Sequence, residues 1–154
     1  MQKRSAGILI YHFKNNIVEV LLVHPGGPLW AKKDLGVWSI PKGEFDDDEK
    51  PLDAAKREVK EETGIIVEGD FIELTPVKLK SGKLVYAWAV EGNFITTEIK
   101  SNTFEMEWPP KSGQKKPFPE VDKAAWFNLN EAKEKINIGQ IPLIDELEIK
   151  IKII

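Results

Sequence analysis

Residues 43–65 read GEFDDDEKPLDAAKREVKEETGI. Charged side chains crowd this stretch, and three of its acids, Glu58, Glu61 and Glu62, fall close together. Pro51 suits the first turn of a helix, acidic residues precede it, and Gly64 suits a C-terminal cap. The pattern therefore predicts a helix from roughly 51 to 63. Residues three and four apart share a helix face, so Glu58 and Glu62 stack, with Glu61 beside them. Leu52, Ala55 and Val59 fall on a different stripe that can pack on a sheet. Like charges four residues apart cost about 0.2–0.5 kcal/mol per pair on an exposed helix. A hard divalent cation reverses that sign. Mg²⁺ takes oxygen ligands and is commonly held by one or two carboxylates together with substrate phosphates. A carboxylate cluster without histidine or cysteine suits Mg²⁺ or Mn²⁺ better than zinc. The competing account of any dense charge run is a solvated helix face.

Outward from this helix the chain alternates strand-like runs with turns. SAGILIYHF (5–13) and IVEVLLVHP (17–25) are β-branched and apolar, and Asn15 and Asn16 between them mark a hairpin. GGPLWAKKDLG (26–36) is a loop by its glycines and proline, and VWSIP (37–41) is a short strand or extended segment. FIELTPVKL (71–79) and LVYAWAV (84–90) form a second strand pair across a Ser81–Gly82 turn, and NFITTEI (93–99) extends the sheet. Residues 101–119 are proline-rich and without periodicity, an irregular segment long enough to suggest a functional or disordered loop. AAWFNL (124–129) returns as a strand, Asn130 caps a short helix, and IPLIDELEIKI (141–151) closes as an amphipathic helix. The expectation is one α/β domain over residues 1–154, with helices against a mixed sheet.

Composition narrows the chemistry. The chain has 154 residues and a net charge of −3, so it lacks the basic surplus of a generic nucleic-acid or anionic-membrane binder. It has no cysteine, which excludes a disulfide framework, a thiol nucleophile and a thiolate zinc site. His12 and His24 are the only histidines, too few for a histidine-based metal centre, and are expected as simple strand-end residues. The N-terminal apolar run is too short for a signal peptide and no stretch reaches membrane-spanning length, so a reducing cytoplasm is the expected setting.

Gly43, Glu49, Arg57-Glu58, apolar Val59, Glu61-Glu62, Gly64 and apolar Ile65 stand at the spacing of the Nudix box, without a departure. The chain thus resembles the Nudix hydrolases. The resemblance implies an α/β/α sandwich with a central mixed β-sheet, and divalent-metal-dependent hydrolysis of a nucleoside diphosphate linked to another group. It assigns Glu58, Glu61 and Glu62 to the metal, with a backbone carbonyl at Gly43 as a further ligand. Glu58 is also a general base in some members. Glu49 and Arg57 match positions that orient the helix and its carboxylates, although Arg57 can also simply pair with Glu61 or Asp53 on the surface. Asp46, Asp47 and Asp48 occupy variable positions and are expected as loop charges.

Many relatives draw one more glutamate from outside the box. Glu120, before a predicted strand, is the first candidate, with Glu105 and Glu107 competing; the alternative makes all three ordinary loop acids. Lys42, in WSIPKGE, resembles the Pro-Lys-Gly entry of several members, among them dinucleoside polyphosphate hydrolases, and is placed to touch phosphate. Trp30 and Trp108 sit in Gly/Pro-rich segments and can stack a base, whereas Trp38, Trp88 and Trp126 lie in strand-like runs and belong to the core. The expected substrate is a nucleoside triphosphate or a dinucleoside polyphosphate. ADP-ribose, nucleotide sugars and capped RNA ends stay open, while nucleic acid as such and membranes are not expected partners. A Nudix-fold sensor that binds nucleotide without turnover is the competing class, and an acidic helical interaction module is a third.

Overall fold

Two apolar, β-branched runs, Arg4–Lys14 (β1) and Ile17–Pro25 (β2), pair antiparallel from Tyr11↔Val20 to Lys14↔Ile17. Asn15 and Asn16 join them at φ of 53° and 65°, the backbone a two-residue hairpin turn needs. The computed structural model describes residues 3–152. After Lys42–Glu44 (β3) and the helix Pro51–Thr63 (α1) come Ile72–Lys78 (β4) and Leu84–Glu91 (β5). Thr103–Glu107 (β6), Lys115–Pro119 (β7), Val121–Asn128 (β8), Leu129–Lys135 (α2) and Ile141–Ile151 (α3) complete the chain. The main sheet runs β4-β5-β1-β2-β8, with β3 also on β1. β1 and β5 are parallel, from Arg4↔Leu84 to Tyr11↔Glu91, while the other pairs are antiparallel, so the sheet is mixed.

β1 is buried from Ser5 to Tyr11, on both faces, as its continuous apolar run implies. One face, with Leu9, Val20 and Leu22, packs on Ala132 of α2 and Leu143, Ile144 and Leu147 of α3. The opposite face, with Ala6, Ile8, Ile10 and Leu21, packs on Ala54, Ala55 and Val59 of α1. The result is the expected α/β/α sandwich. α1 spans the expected residues and ends at Gly64, whose φ of 79° and N–H bond to the Lys60 carbonyl (2.7 Å) form a left-handed cap. Its packing stripe differs slightly from expectation. Ala54 is buried, whereas Leu52 is only partly so, because the smaller side chain lets the helix approach the sheet closely.

Three local expectations fail for identifiable reasons. Residues 93–99 leave the sheet and form a 3-10 turn at Thr96–Glu98. There Phe94 packs against the α1-side core and its carbonyl accepts the Trp126 indole N–H (3.2 Å), so packing replaces strand pairing. Residues 101–119 are not irregular: β6 and β7 form a two-stranded ribbon from Thr103↔Pro119 to Glu107↔Lys115. Pro109 and Pro110 lie in the turn between the strands, and Pro117 and Pro119 sit in a two-stranded ribbon whose outer edge needs no ladder bond, so the prolines hid the strands. The α2 cap is Asn128, not Asn130, its side chain accepting the Glu131 N–H (2.8 Å). VWSIP takes the second of its two expected forms, an extended segment with the single bridges Val23↔Ser39 and Trp38↔Ile136, and the neighbouring strand Lys42–Glu44 is disguised by its charges. Among the described residues no helix is long and apolar enough to cross a membrane.

Candidate active site

Arg57 organises the acidic face of α1. Its guanidinium donates to both carboxylate oxygens of Glu49 (2.8 and 2.7 Å), to Glu58 (2.8 Å) and to Glu61 (3.0 Å). The two-pronged Glu49 contact fixes the plane of the guanidinium. Its hydrogen bond to Glu49 is the largest influence holding the Arg57 proton well above the ordinary value, and it holds the Glu49 carboxyl below its own. Glu62 turns the other way and accepts the Lys42 backbone N–H (3.2 Å). Glu58 is buried, its carboxylate lying against the Cα of Gly43, where a Cβ would sit 1.9 Å from Oε2. A side chain at position 43 would have to displace the Glu58 carboxylate.

A cleft opens between the ends of β2, β3, α1 and β8, lined by Val23, Pro25, Val37, Ser39, Lys42, Glu62, Glu120 and Val121. Burial pushes the Glu62 carboxyl up to about 8, with Glu120 and Glu58 adding to the rise against the opposing influence of Lys42. Burial raises Glu58 as well, and Glu61 and Glu120 outbid part of the relief Arg57 provides. Glu120 is raised by burial and by the charge of Glu61. Lys42 shifts downward, through burial and the neighbouring Lys83. The cleft thus disfavours full ionisation of its carboxylates.

The donor set for a cation is oxygen throughout, which fits a hard divalent ion. Among the described residues no three acidic or histidine side chains converge on one point. Glu58 and Glu61 are both turned onto Arg57, so gathering them about an ion takes rotation of side chains, not movement of the helix.

The other candidates lie outside the cleft lining. Trp30 is exposed on the loop between Pro25 and Val37, its ring beneath the Lys33 ammonium (5.0 Å). Trp108 lies at the far end of the β6–β7 ribbon, its N–H donating to Gln114 (2.9 Å), and the ribbon returns to the cleft at Glu120. Neither ring lines the cleft itself. Glu107 accepts the Lys111 N–H (2.9 Å) within the ribbon turn, and Glu105 is exposed on its strand. Asp46, Asp47 and Asp48 are exposed, Asp47 pairing with Arg4.

Two features escaped sequence reasoning. His24 is not a simple strand end: it is fully buried, with Nε2 donating to the Lys33 carbonyl (2.6 Å) and Nδ1 facing Asp122 (2.8 Å). It ties the Trp30 loop to β8. His12 stacks on Trp126 with centroids 3.6 Å apart. The buried Gln140 accepts the Ile40 N–H (3.1 Å) and donates to Ser39 (3.0 Å), holding the segment that leads into Lys42 and Gly43. A single buried glutamine a hundred residues away gives no local signal of this.

The family model described as NUDIX domain matches residues 1–147. The asymmetrical bis(5'-nucleosyl)-tetraphosphatase of Mus musculus is 33% identical over 112 residues, covering 65% of this chain and 72% of that protein. The RNA pyrophosphohydrolase of Bartonella henselae is 34% identical over 67 residues, covering 41% of this chain and 36% of that protein. Among solved structures, the C. elegans Ap4A hydrolase binary complex matches with a TM-score of 0.69 at 22% identity, over 97% of this chain and 99% of that one. The NUDIX domain of Shewanella oneidensis NrtR complexed with ADP ribose matches with a TM-score of 0.68 at 14% identity, over 98% and 89%. At these identities the structural likeness speaks for the fold.

Proposed function

The chain belongs to the NUDIX family and is a hydrolase of phosphoanhydride bonds, and we propose that it acts, with Mg²⁺ or Mn²⁺, on a nucleoside triphosphate or a dinucleoside polyphosphate. The observation that carries this proposal is the pair Glu62 and Glu120 at the cleft, with Glu58 on the same helix as Glu62. Burial raises all three; Glu120 and Glu58 add to the rise at Glu62, Glu61 and Glu120 to that at Glu58, and Glu61 to that at Glu120, while Glu58 rests against Gly43. The resemblance of Lys42 to the Pro-Lys-Gly entry and the likeness to a tetraphosphatase support the substrate class.

Glu58, Glu61, Glu62 and Glu120, with the Gly43 carbonyl, are the residues that would hold the cation. When bound, a divalent ion supplies neutralisation of phosphate oxygens and a more acidic water. The chain's own residues do the rest. Arg57, clamped by Glu49, keeps Glu58 and Glu61 side by side on α1, and a cleft carboxylate orients the attacking water and takes its proton. Lys42, buried at the cleft wall, meets a phosphate oxygen. Trp30 and Trp108, with Glu107 on the ribbon, belong to the rim that receives the nucleoside.

The test is a panel of nucleoside triphosphates, dinucleoside polyphosphates, ADP-ribose, nucleotide sugars and capped RNA, with Mg²⁺, Mn²⁺ or chelator, read by product mass. Hydrolysis of the first two classes only with metal is expected. Binding without turnover across the panel would replace the enzyme by a nucleotide sensor, and full activity in excess chelator would remove the metal from the account.

A further inference from the structure

α1 ends at Thr63, so the carbonyls of its last turn have no partner within the helix. They are taken up by a short strap, residues 100–102. The Lys100 N–H donates to the Thr63 carbonyl (2.8 Å), and the Asn102 N–H donates to the Glu61 carbonyl (2.8 Å). The Asn102 carbonyl in turn accepts the Glu120 N–H (2.9 Å), and the Glu120 carbonyl accepts the Gly26 N–H (2.9 Å). Ser101 bridges both sides of this join. Its hydroxyl donates to the Asn102 carbonyl (2.8 Å) and accepts the Val121 N–H (3.0 Å). The backbone of Glu120 is therefore fastened, through one intervening residue, to the backbone of Glu61, and the strap is the link.

We propose that Ser101 is a positioning residue: by bridging Asn102 and Val121 it sets Glu120 against the end of α1, in register with Glu61 and Glu62. This rests on the metal role given above to Glu120. Two further details agree with a fixed join. A Cβ on Gly64 would lie 3.5 Å from the Lys100 carbonyl oxygen, so the strap runs closely over the helix end. A Cβ on Gly26 would lie 2.0 Å from the Pro119 carbonyl oxygen, so the other side of Glu120 is packed more closely still. Hydroxyl loss at Ser101 leaves the Val121 N–H without its acceptor and frees Glu120 to turn, without touching any carboxylate.

The experiment measures Mn²⁺ binding by electron paramagnetic resonance in the absence of substrate, together with steady-state kinetics, for Ser101→Ala, Ser101→Thr, Glu120→Gln and Ser101→Ala/Glu120→Gln. Residues that orient a ligand typically change metal affinity by about tenfold or more. Ser101→Ala is expected to weaken Mn²⁺ binding by about that factor and to lower kcat more than it changes KM, while Ser101→Thr, which keeps the hydroxyl, restores both. In the Glu120→Gln background, Ser101→Ala adds less than about twofold, because the group it positions is gone. Should Ser101→Ala be unstable, Ser101→Cys enters the same cycle. Unchanged Mn²⁺ affinity in Ser101→Ala, or full multiplication of the two effects, overturns the positioning role while leaving Glu120 in place. No effect of Glu120→Gln on Mn²⁺ overturns the assignment of Glu120 and the strap's purpose with it.

Discussion

The charged residues of the box divide sharply by where their side chains go. Glu62 lines the cleft under a Lys42 N–H, whereas Asp47 points into solvent and pairs with Arg4. Removing the charge from Glu62 takes away a group facing the phosphates, and metal or proton-transfer roles of that kind are typically worth about a hundredfold or more. Glu62→Gln is therefore expected to lower kcat by at least about a hundredfold with little change in folding, and Asp47→Asn to stay within about twofold. Steady-state kinetics on both variants decide the matter: near-normal turnover in Glu62→Gln beside a large loss in Asp47→Asn reverses the assignment. Residue identity made the acids visible in the sequence. Their division into buried and solvated sets was not visible, because adjacent positions of one loop and helix differ only in the direction they face.

Among the elements, α3 and β4 are joined by a carboxylate. Glu146 accepts the Thr75 N–H (2.7 Å) where β4 breaks its register, and pairs with Lys150 (3.1 Å). Burial pushes this carboxyl up, but the Thr75 N–H and Lys150 outweigh it and hold it below the ordinary value. A lowered carboxylate contributes stability above its unfolded pKa and loses it as pH falls through the folded one. Glu146→Gln is expected to cost about 1 kcal/mol near neutral pH and progressively less as pH falls through the lowered carboxylate range, seen as denaturation midpoints that converge on acidification. A constant gap across that range would show that the pair is not ionic. The loop bearing Trp30 and the ribbon bearing Trp108 are the other paired elements, joined where Phe104 packs at Gly27. A ring on either that only clamps the nucleoside supplies uniform binding, so Trp30→Ala or Trp108→Ala should raise KM more than it lowers kcat. If instead Trp38→Phe or Trp88→Phe alters KM and the loop variants do not, recognition lies on the sheet.

At the scale of the whole molecule, the carboxylates gathered at and beside the cleft are unfavourable to charge together, and a cation relieves that cost. Binding to the native state stabilises it by about 2.7 kcal/mol at one hundred times Kd, and for a domain of this size each kcal/mol moves Tm by about 2–4 °C. Mg²⁺ with a non-hydrolysable nucleotide is accordingly expected to raise Tm by about 5–10 °C. Nucleotide in chelator should give a small fraction of that rise. Equal shifts with and without metal, in a thermal melt, would mean that nucleotide binding owes nothing to the cation.

What the sequence determined by itself was local. A helix of known ends, a left-handed cap at Gly64, the Asn15–Asn16 turn and three acids on one helix face all follow from spacing over a few residues, because turns and helix faces are set by near neighbours. The tertiary structure decided what the chain brings together from afar. It set Gly43 beneath Glu58, carried Glu120 to the end of α1 on a strap, buried His24 between Lys33 and Asp122, and placed Gln140 behind Ile40. It also turned a proline-rich stretch into a ribbon, since strand pairing depends on a partner that no window of sequence contains. Contacts between distant segments leave no periodicity behind, and the cleft is made almost wholly of such contacts.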